Sequence, residues 1–120
     1  MKKQQTGRLG EDLACRALKK KGYHIIERNY RCRYGEIDVV AKKDDYLVFI
    51  EVRSRTVNSF GTAAESVTAV KRQHLVATAM DYLGSHDNLP EDWRVDFVGI
   101  NLDASDSHLH GMEIIENALG

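Results

Sequence analysis

Asp38, Glu51 and Arg53 have the residue types and the spacing for phosphate chemistry. Residues 46–54 alternate as a strand does: Leu47, Phe49, Glu51 and Arg53 share one face, and Val48, Ile50 and Val52 share the other. Over 35–42, Glu36, Asp38 and Val40 share a face. If the two segments form a hairpin turning on Asp44-Asp45, position 38 stands opposite position 51. If the loop is all of 42–45, position 38 stands opposite position 49. Residues opposite each other in an antiparallel ladder share a face, so either register puts Asp38 on the side of Glu51 and Arg53. Two carboxylates that close raise one another's pKa unless a cation lies between them. Arg53 is one such cation. A hard divalent ion, Mg²⁺ or Mn²⁺, is another, since it takes one or two carboxylates, a backbone carbonyl and several waters. The carbonyl of Val52 lies between the two strand side chains, and Glu11 adds a ligand, directly or through water, if its helix packs across the sheet. A metal so held activates water and stabilises charge on a phosphate, and a neighbouring cationic side chain stabilises the same charge. The pattern D-x(12)-E-x-R describes a metal-free Asp–Arg–Glu network at a sheet end equally well.

The elements that must position these groups are legible along the chain. Thr6 caps a helix running to about Lys21, where Gly22 stops it. Leu9, Leu13, Ala14, Ala17 and Leu18 form its apolar arc. At 100° per residue Glu11 falls about 20° from Leu18, whereas Asp12 points away from the arc. Residues 1–5 read as a frayed end. Tyr23–Tyr30, Gly35–Lys42 and Tyr46–Ser54 read as strands. Thr62-Ala63-Ala64-Glu65 is a capping box opening a helix to about Leu83. Trp93–Asn101 is a further strand, with Val95 and Phe97 beside Trp93 on its core face, and Leu109–Ile115 is a weaker last one. The order α-β-β-β-α-β-β predicts a single α/β domain over 1–120, a mixed four- to five-stranded sheet flanked by helices.

The 120 residues suit one core, and 42% hydrophobic with 29% charged is an ordinary soluble composition. No apolar run approaches the about 20 residues of a membrane helix, and no h-region follows the basic N-terminus. Cys15 and Cys32 suggest neither a disulfide framework nor a zinc site. The expectation is an intracellular, cytoplasmic protein without a membrane partner. The formal net charge is −1, but residues 1–35 hold ten of the 17 Lys and Arg and only three of the 18 Asp and Glu. A basic face on a neutral chain follows, or a helix end that Lys19, Lys20 and Lys21 merely solvate.

A wider set of motifs carries a resemblance: G-R-L-G-E-D-L-A at 7–14, R-N-Y-R at 28–31, G-E-I-D at 35–38, F-I-E-V-R-S-R at 49–55, F-G-T-A-A-E-S-V at 60–67 and R-V-D-F-V-G-I at 94–100. Their order and spacing resemble the YraN family of small bacterial proteins, and G-E-I-D with F-I-E-V-R resembles the D…E-x-K core of the PD-(D/E)-x-K nucleases. The resemblance covers roughly residues 7–117. It implies a restriction-endonuclease-like fold similar to that of archaeal Holliday junction resolvases, with Asp38 and Glu51 as metal-binding carboxylates and Glu11 completing the site. Arg53 stands where the superfamily usually has lysine. Arginine cannot act as a general base but clamps a phosphate bidentately. Either the metal activates water alone, or activity is reduced, or another residue replaces the lysine, for which Lys71 is the candidate.

The function so implied is a metal-dependent nuclease acting on DNA, branched or structured DNA in particular. Arg8, Arg31, Arg33, Arg55 and Lys71 would bind the nucleic-acid backbone, and a junction substrate would imply a homodimer by analogy with its symmetry. The rival is a non-catalytic DNA-binding or DNA-processing accessory protein. An enzyme acting on RNA or nucleotides fits the residues too. Glu36 is a further ligand or a surface residue, Glu65 a helix cap, and His108-x-His110 a solvated pair. Tyr30 and Tyr34 lie among Arg28, Arg31 and Arg33 and either stack on bases or belong to a charged edge strand.

Overall fold

The structure, a computed structural model, describes residues 3–56, 69–102 and 109–119. Helix α1 spans Lys3–Lys20, followed by strands β1 (His24–Cys32), β2 (Gly35–Lys43) and β3 (Tyr46–Thr56). Helix α2 is described over Ala69–Ser85, and strands β4 (Asp92–Leu102) and β5 (Leu109–Ile115) complete the chain. The five strands lie side by side in chain order, antiparallel except for β3 and β4, which are parallel and joined through α2. The expected order and mixed sheet are those observed. Helix α1 begins three residues earlier than the Thr6 start, because Lys and Gln are themselves good helix formers. The capping box at 62–65, with Glu65, and His108 lie outside the described residues.

Local chemistry explains where the elements stop. Gly22 takes φ +93°, its N–H bonds Lys19 O at 3.1 Å, and the Tyr23 N–H reaches Leu18 O at 3.0 Å. This is a Schellman end, sealed by the apolar pair Leu18 and Tyr23 in one cluster. The β2–β3 hairpin turns on two residues, with Lys43 opposite Tyr46 and Asp44 at φ 54°. Two-residue hairpins require such positive φ, which an Asp side chain tolerates. This turn selects the register in which position 38 extends towards position 51.

Each sheet face packs one helix. Val48 and Ile50 join Ala14 and Leu18 of α1, whereas Leu47 and Phe49 join Leu75, Ala79 and Tyr82 of α2. The alternation expected on β3 therefore holds, and Val95 and Phe97 lie in the α2-side core with Trp93 packed against it. On β2 it breaks. Val39 belongs to the α1-side cluster, yet Ile37, two residues away, belongs to the α2-side cluster with Val40. Their partners on β1, Arg28 and Tyr30, diverge likewise across Asn29, whose φ is +57°. Glu36, Asp38 and Val40 thus do not form one simple face. Asp38 sits where the strand passes from one side of the sheet to the other.

Close approach of α1 to β3 depends on Gly10, where an added Cβ would lie 1.6 Å from Ser54 Oγ and 2.9 Å from Ser54 Cβ. Alanine would improve helix propensity by about 1 kcal/mol. The backbone shift needed to relieve a Cβ–Cβ contact that short costs about 1–3 kcal/mol, so overpacking wins. Gly10→Ala is expected to lower the urea midpoint, and Ser54→Gly in the same chain to restore it. An undiminished midpoint in Gly10→Ala would show that α1 does not pack this closely.

Candidate functional site

The pleat that buries Phe49 against α2 carries Glu51 to the same side, where it is 6% exposed. A carboxylate so buried needs a cation. Lys71, on the first turns of the described α2, supplies it: Nζ lies 2.7 Å from Glu51 Oε1. Arg53 Nε is 3.9 Å from the same oxygen and, although that atom is buried, has no hydrogen-bond partner among the described residues. The sequence offered Arg53 or a divalent ion as the cation between the carboxylates. Among the described residues the structure puts Lys71 closest to Glu51, because α2 packs on the sheet face that Glu51 shares with Phe49.

Asp38 arrives from β2. The ladder with β3 runs as far as Val39 opposite Ile50, and one step beyond, Asp38 Oδ2 accepts the Val52 N–H at 2.7 Å. Burial pushes the Asp38 carboxyl up from 3.8 to about 8, the Glu51 charge adds to the rise, and the Val52 N–H opposes it. Weaker contributions from Glu11 and Glu36 act in the same direction as Glu51. Both causes favour the protonated form of Asp38, and a bound cation would favour the charged one.

Glu36, Asp38, Glu51, Val52, Arg53, Lys71 and His74 are among the residues that line one pocket of about 330 Å³. Among the described residues no three His, Cys, Asp or Glu side chains converge as a ready metal cage. The donor set nevertheless fits Mg²⁺ or Mn²⁺: two hard carboxylates in electrostatic contact, a strand carbonyl at Val52 and space for waters. His74 was not foreseen, although it follows Lys71 by three residues, a spacing that puts both on one side of a helix.

Glu11 is not in this pocket. It lines an adjacent one of about 700 Å³ together with Arg8, Asp12, Arg28, Arg31 and Glu36. Arg28 Nε donates to Glu11 Oε1 at 3.0 Å and Arg28 Nη2 to Asp12 Oδ1 at 2.8 Å. Asp12, expected to point away, thus shares the same guanidinium. Arg31 and Glu36 pair at 3.4 Å. Arg33 lies over the Tyr34 ring, 4.7 Å from its centroid. Tyr30 is a packing residue, its hydroxyl bonded to Asp81 and its ring edge-on to Tyr82 at 5.0 Å. The Arg55 and His110 side chains lie outside the described residues.

A third carboxylate escaped the sequence reading. Asp96 is completely buried and accepts from Tyr23 Oη at 2.9 Å, Arg94 Nε at 3.0 Å and the Asn117 N–H at 2.9 Å. A single acid inside the apolar run V-D-F-V-G-I was the available signal. Its hydrogen bonds are complete, so it reads as a structural group.

The fold and site define an α/β protein whose mixed five-stranded sheet brings together Asp38 of β2 and a buried Glu51 of β3 paired with Lys71. A family model described as "Uncharacterised protein family UPF0102" matches residues 10–100, and the chain belongs to that family, the one its motifs resemble. A UPF0102 protein of Dehalococcoides mccartyi is 44% identical over 118 residues, covering 98% of this chain and 95% of that protein. A UPF0102 protein of Moorella thermoacetica is 43% identical over 118 residues, covering 98% of each. One of Roseiflexus castenholzii is 46% identical over 100 residues, covering 82% of this chain and 80% of its own. Among the described residues no helix is long and apolar enough to cross a membrane.

Proposed function

We propose that this chain is a metal-dependent phosphodiesterase with a restriction-endonuclease-like fold, acting on structured DNA. The observation that carries the reading is the convergence of Asp38 and Glu51 in one pocket with Lys71 and Arg53. A bound Mg²⁺ or Mn²⁺ would supply an activated water and neutralise charge at the phosphate. The chain's own residues divide the remaining work. Asp38 and Glu51 would hold the cation, with the Val52 carbonyl. Lys71 takes the part of the lysine that position 53 lacks: it holds Glu51 in place and orients the attacking water. Arg53 clamps the phosphate through a guanidinium whose Nε has no hydrogen-bond partner among the described residues. Arg8 and Arg31 contact the flanking backbone.

The test is incubation of the full chain with Mg²⁺ or Mn²⁺ and linear, flapped and four-way DNA, with matched RNA as a second arm. Cleavage of branched DNA is expected, falling by about 10²–10³-fold in Asp38→Ala, Glu51→Ala and Lys71→Ala. Absence of cleavage on every substrate overturns the reading, as does cleavage that persists unchanged in Asp38→Ala and Glu51→Ala.

A second reading is favoured by the 2.7 Å Lys71–Glu51 contact, which already neutralises the carboxylate without a metal. The chain would then be a DNA-binding accessory protein that keeps the fold without the chemistry. Binding would survive Asp38→Ala and weaken steeply with salt.

A further inference from the structure

The two adjacent pockets share Glu36, which lines both. Glu36 stands directly opposite Arg31 in the β1–β2 ladder and two residues before Asp38, whose carboxyl already feels its charge. The ion pairs of the second pocket are unequal. Arg28 is gripped by two carboxylates at 3.0 and 2.8 Å. Arg31 meets Glu36 at 3.4 Å with 74% of its side chain exposed. An exposed pair of that kind contributes at most about 1 kcal/mol, whereas a phosphodiester offers a guanidinium two oxygens in matching geometry. An arriving phosphate would therefore exchange with Glu36 at Arg31 and leave Arg28 in place.

We propose that the second pocket is a subsite for a backbone phosphodiester of a nucleic-acid strand, and that phosphate at Arg31 releases Glu36 to strengthen divalent-cation binding at Asp38 and Glu51. The inference rests on the metal-site reading above and adds a regulatory link to it. Without a strand, Arg31 neutralises Glu36 and the cation pocket is the weaker site. With a strand bound, the released carboxylate adds negative charge beside Asp38. By thermodynamic reciprocity the cation tightens strand binding by the same factor. A cation site of this kind fills when a strand is present to be cut, which limits cleavage to bound substrate.

The experiment measures Mn²⁺ affinity by titration calorimetry on the full chain, for the wild type, Arg31→Ala, Glu36→Gln and the double variant. Arg31→Ala is expected to bind Mn²⁺ about 5-fold more tightly than the wild type, because its Glu36 is already released. Glu36→Gln should bind more weakly, and adding Arg31→Ala to it should change nothing. A short phosphorothioate single strand should tighten Mn²⁺ binding in the wild type and do so far less in Glu36→Gln. Unchanged affinity in Arg31→Ala overturns the link. So does equal tightening by Arg31→Ala in the Glu36→Gln background, which would be a direct charge effect of Arg31 on the cation. A wild type that binds no Mn²⁺ at all overturns the metal-site reading together with the inference. Mn²⁺ binding without the difference overturns the inference alone.

Discussion

Asp38→Asn is expected to melt about 5–10 °C above the wild type at pH 9, a shift that corresponds to about 1–2 kcal/mol in a domain of this size. The cause is the Asp38 carboxyl, which burial and the Glu51 charge raise from 3.8 to about 8 in the folded chain. Between those values the folded state keeps a proton that the unfolded chain releases. The unfolded state then binds fewer protons, so wild-type stability falls as pH rises through that window and levels off above it. Asparagine resembles the protonated form in shape, still accepts the Val52 N–H and carries no charge to expose to Glu51. The variant should therefore lose the downward slope while keeping the fold. Mn²⁺ should raise the wild-type melting temperature at pH 8 through binding to the folded state, and leave Asp38→Asn almost unmoved. Thermal melts from pH 5 to 9, with and without Mn²⁺, decide the matter. A wild-type melting temperature that stays flat across the window, or an asparagine variant that melts lower, would sink the argument. A gain in stability on losing a candidate ligand is what a site that stores electrostatic strain predicts.

The second large effect lies on the opposite face of the sheet. Asp96→Ala is expected to cost about 3–5 kcal/mol, because it removes one member of a buried ion pair and leaves the other. Asp96 is fully buried, and the Arg94 side chain that donates to it is only 13% exposed. Burial and the bond to Asp96 hold the Tyr23 phenol above its ordinary range. Truncation would leave the Arg94 guanidinium without its carboxylate and the Tyr23 hydroxyl and Asn117 N–H without their acceptor. Asp96→Asn keeps an acceptor but loses the charge, so its loss should be smaller. Urea unfolding should show a lowered midpoint with an unchanged slope for both. Mn²⁺ affinity should be unaltered wherever the variant folds, since Asp96 does not line the cation pocket. A change of less than about 1 kcal/mol in Asp96→Ala would mean that the network is open to water and adds little.

These two carboxylates mark where sequence reasoning succeeds and where it stops. Period-two alternation is local and geometric, so the faces of β3, and with them Glu51 and Arg53, were readable from the chain. Gly22 announced the end of α1, because few other residues accept its left-handed backbone. A two-residue turn at Asp44-Asp45 was one of two registers, and the chain alone held no means to choose between them. The break in alternation at Asp38 was invisible too. It depends on Asn29 taking φ +57° in the partner strand, a choice made by Arg28 packing towards α1 and Tyr30 towards α2.

Legible in the chain alone were the order of elements, the mixed α/β sheet and the presence of Asp38 on the side of Glu51 and Arg53, since each follows from spacing along a strand or holds in either register of one tight turn. Packing in three dimensions set which cation lies nearest Glu51 among the described residues, that Glu11 is held by Arg28 in a neighbouring pocket, and that Glu36 borders both. Those outcomes depend on where α1 and α2 settle on the sheet. Helix docking is governed by the fit of whole apolar faces and close contacts such as Gly10 against Ser54, and no local periodicity encodes the distance from Lys71 to Glu51.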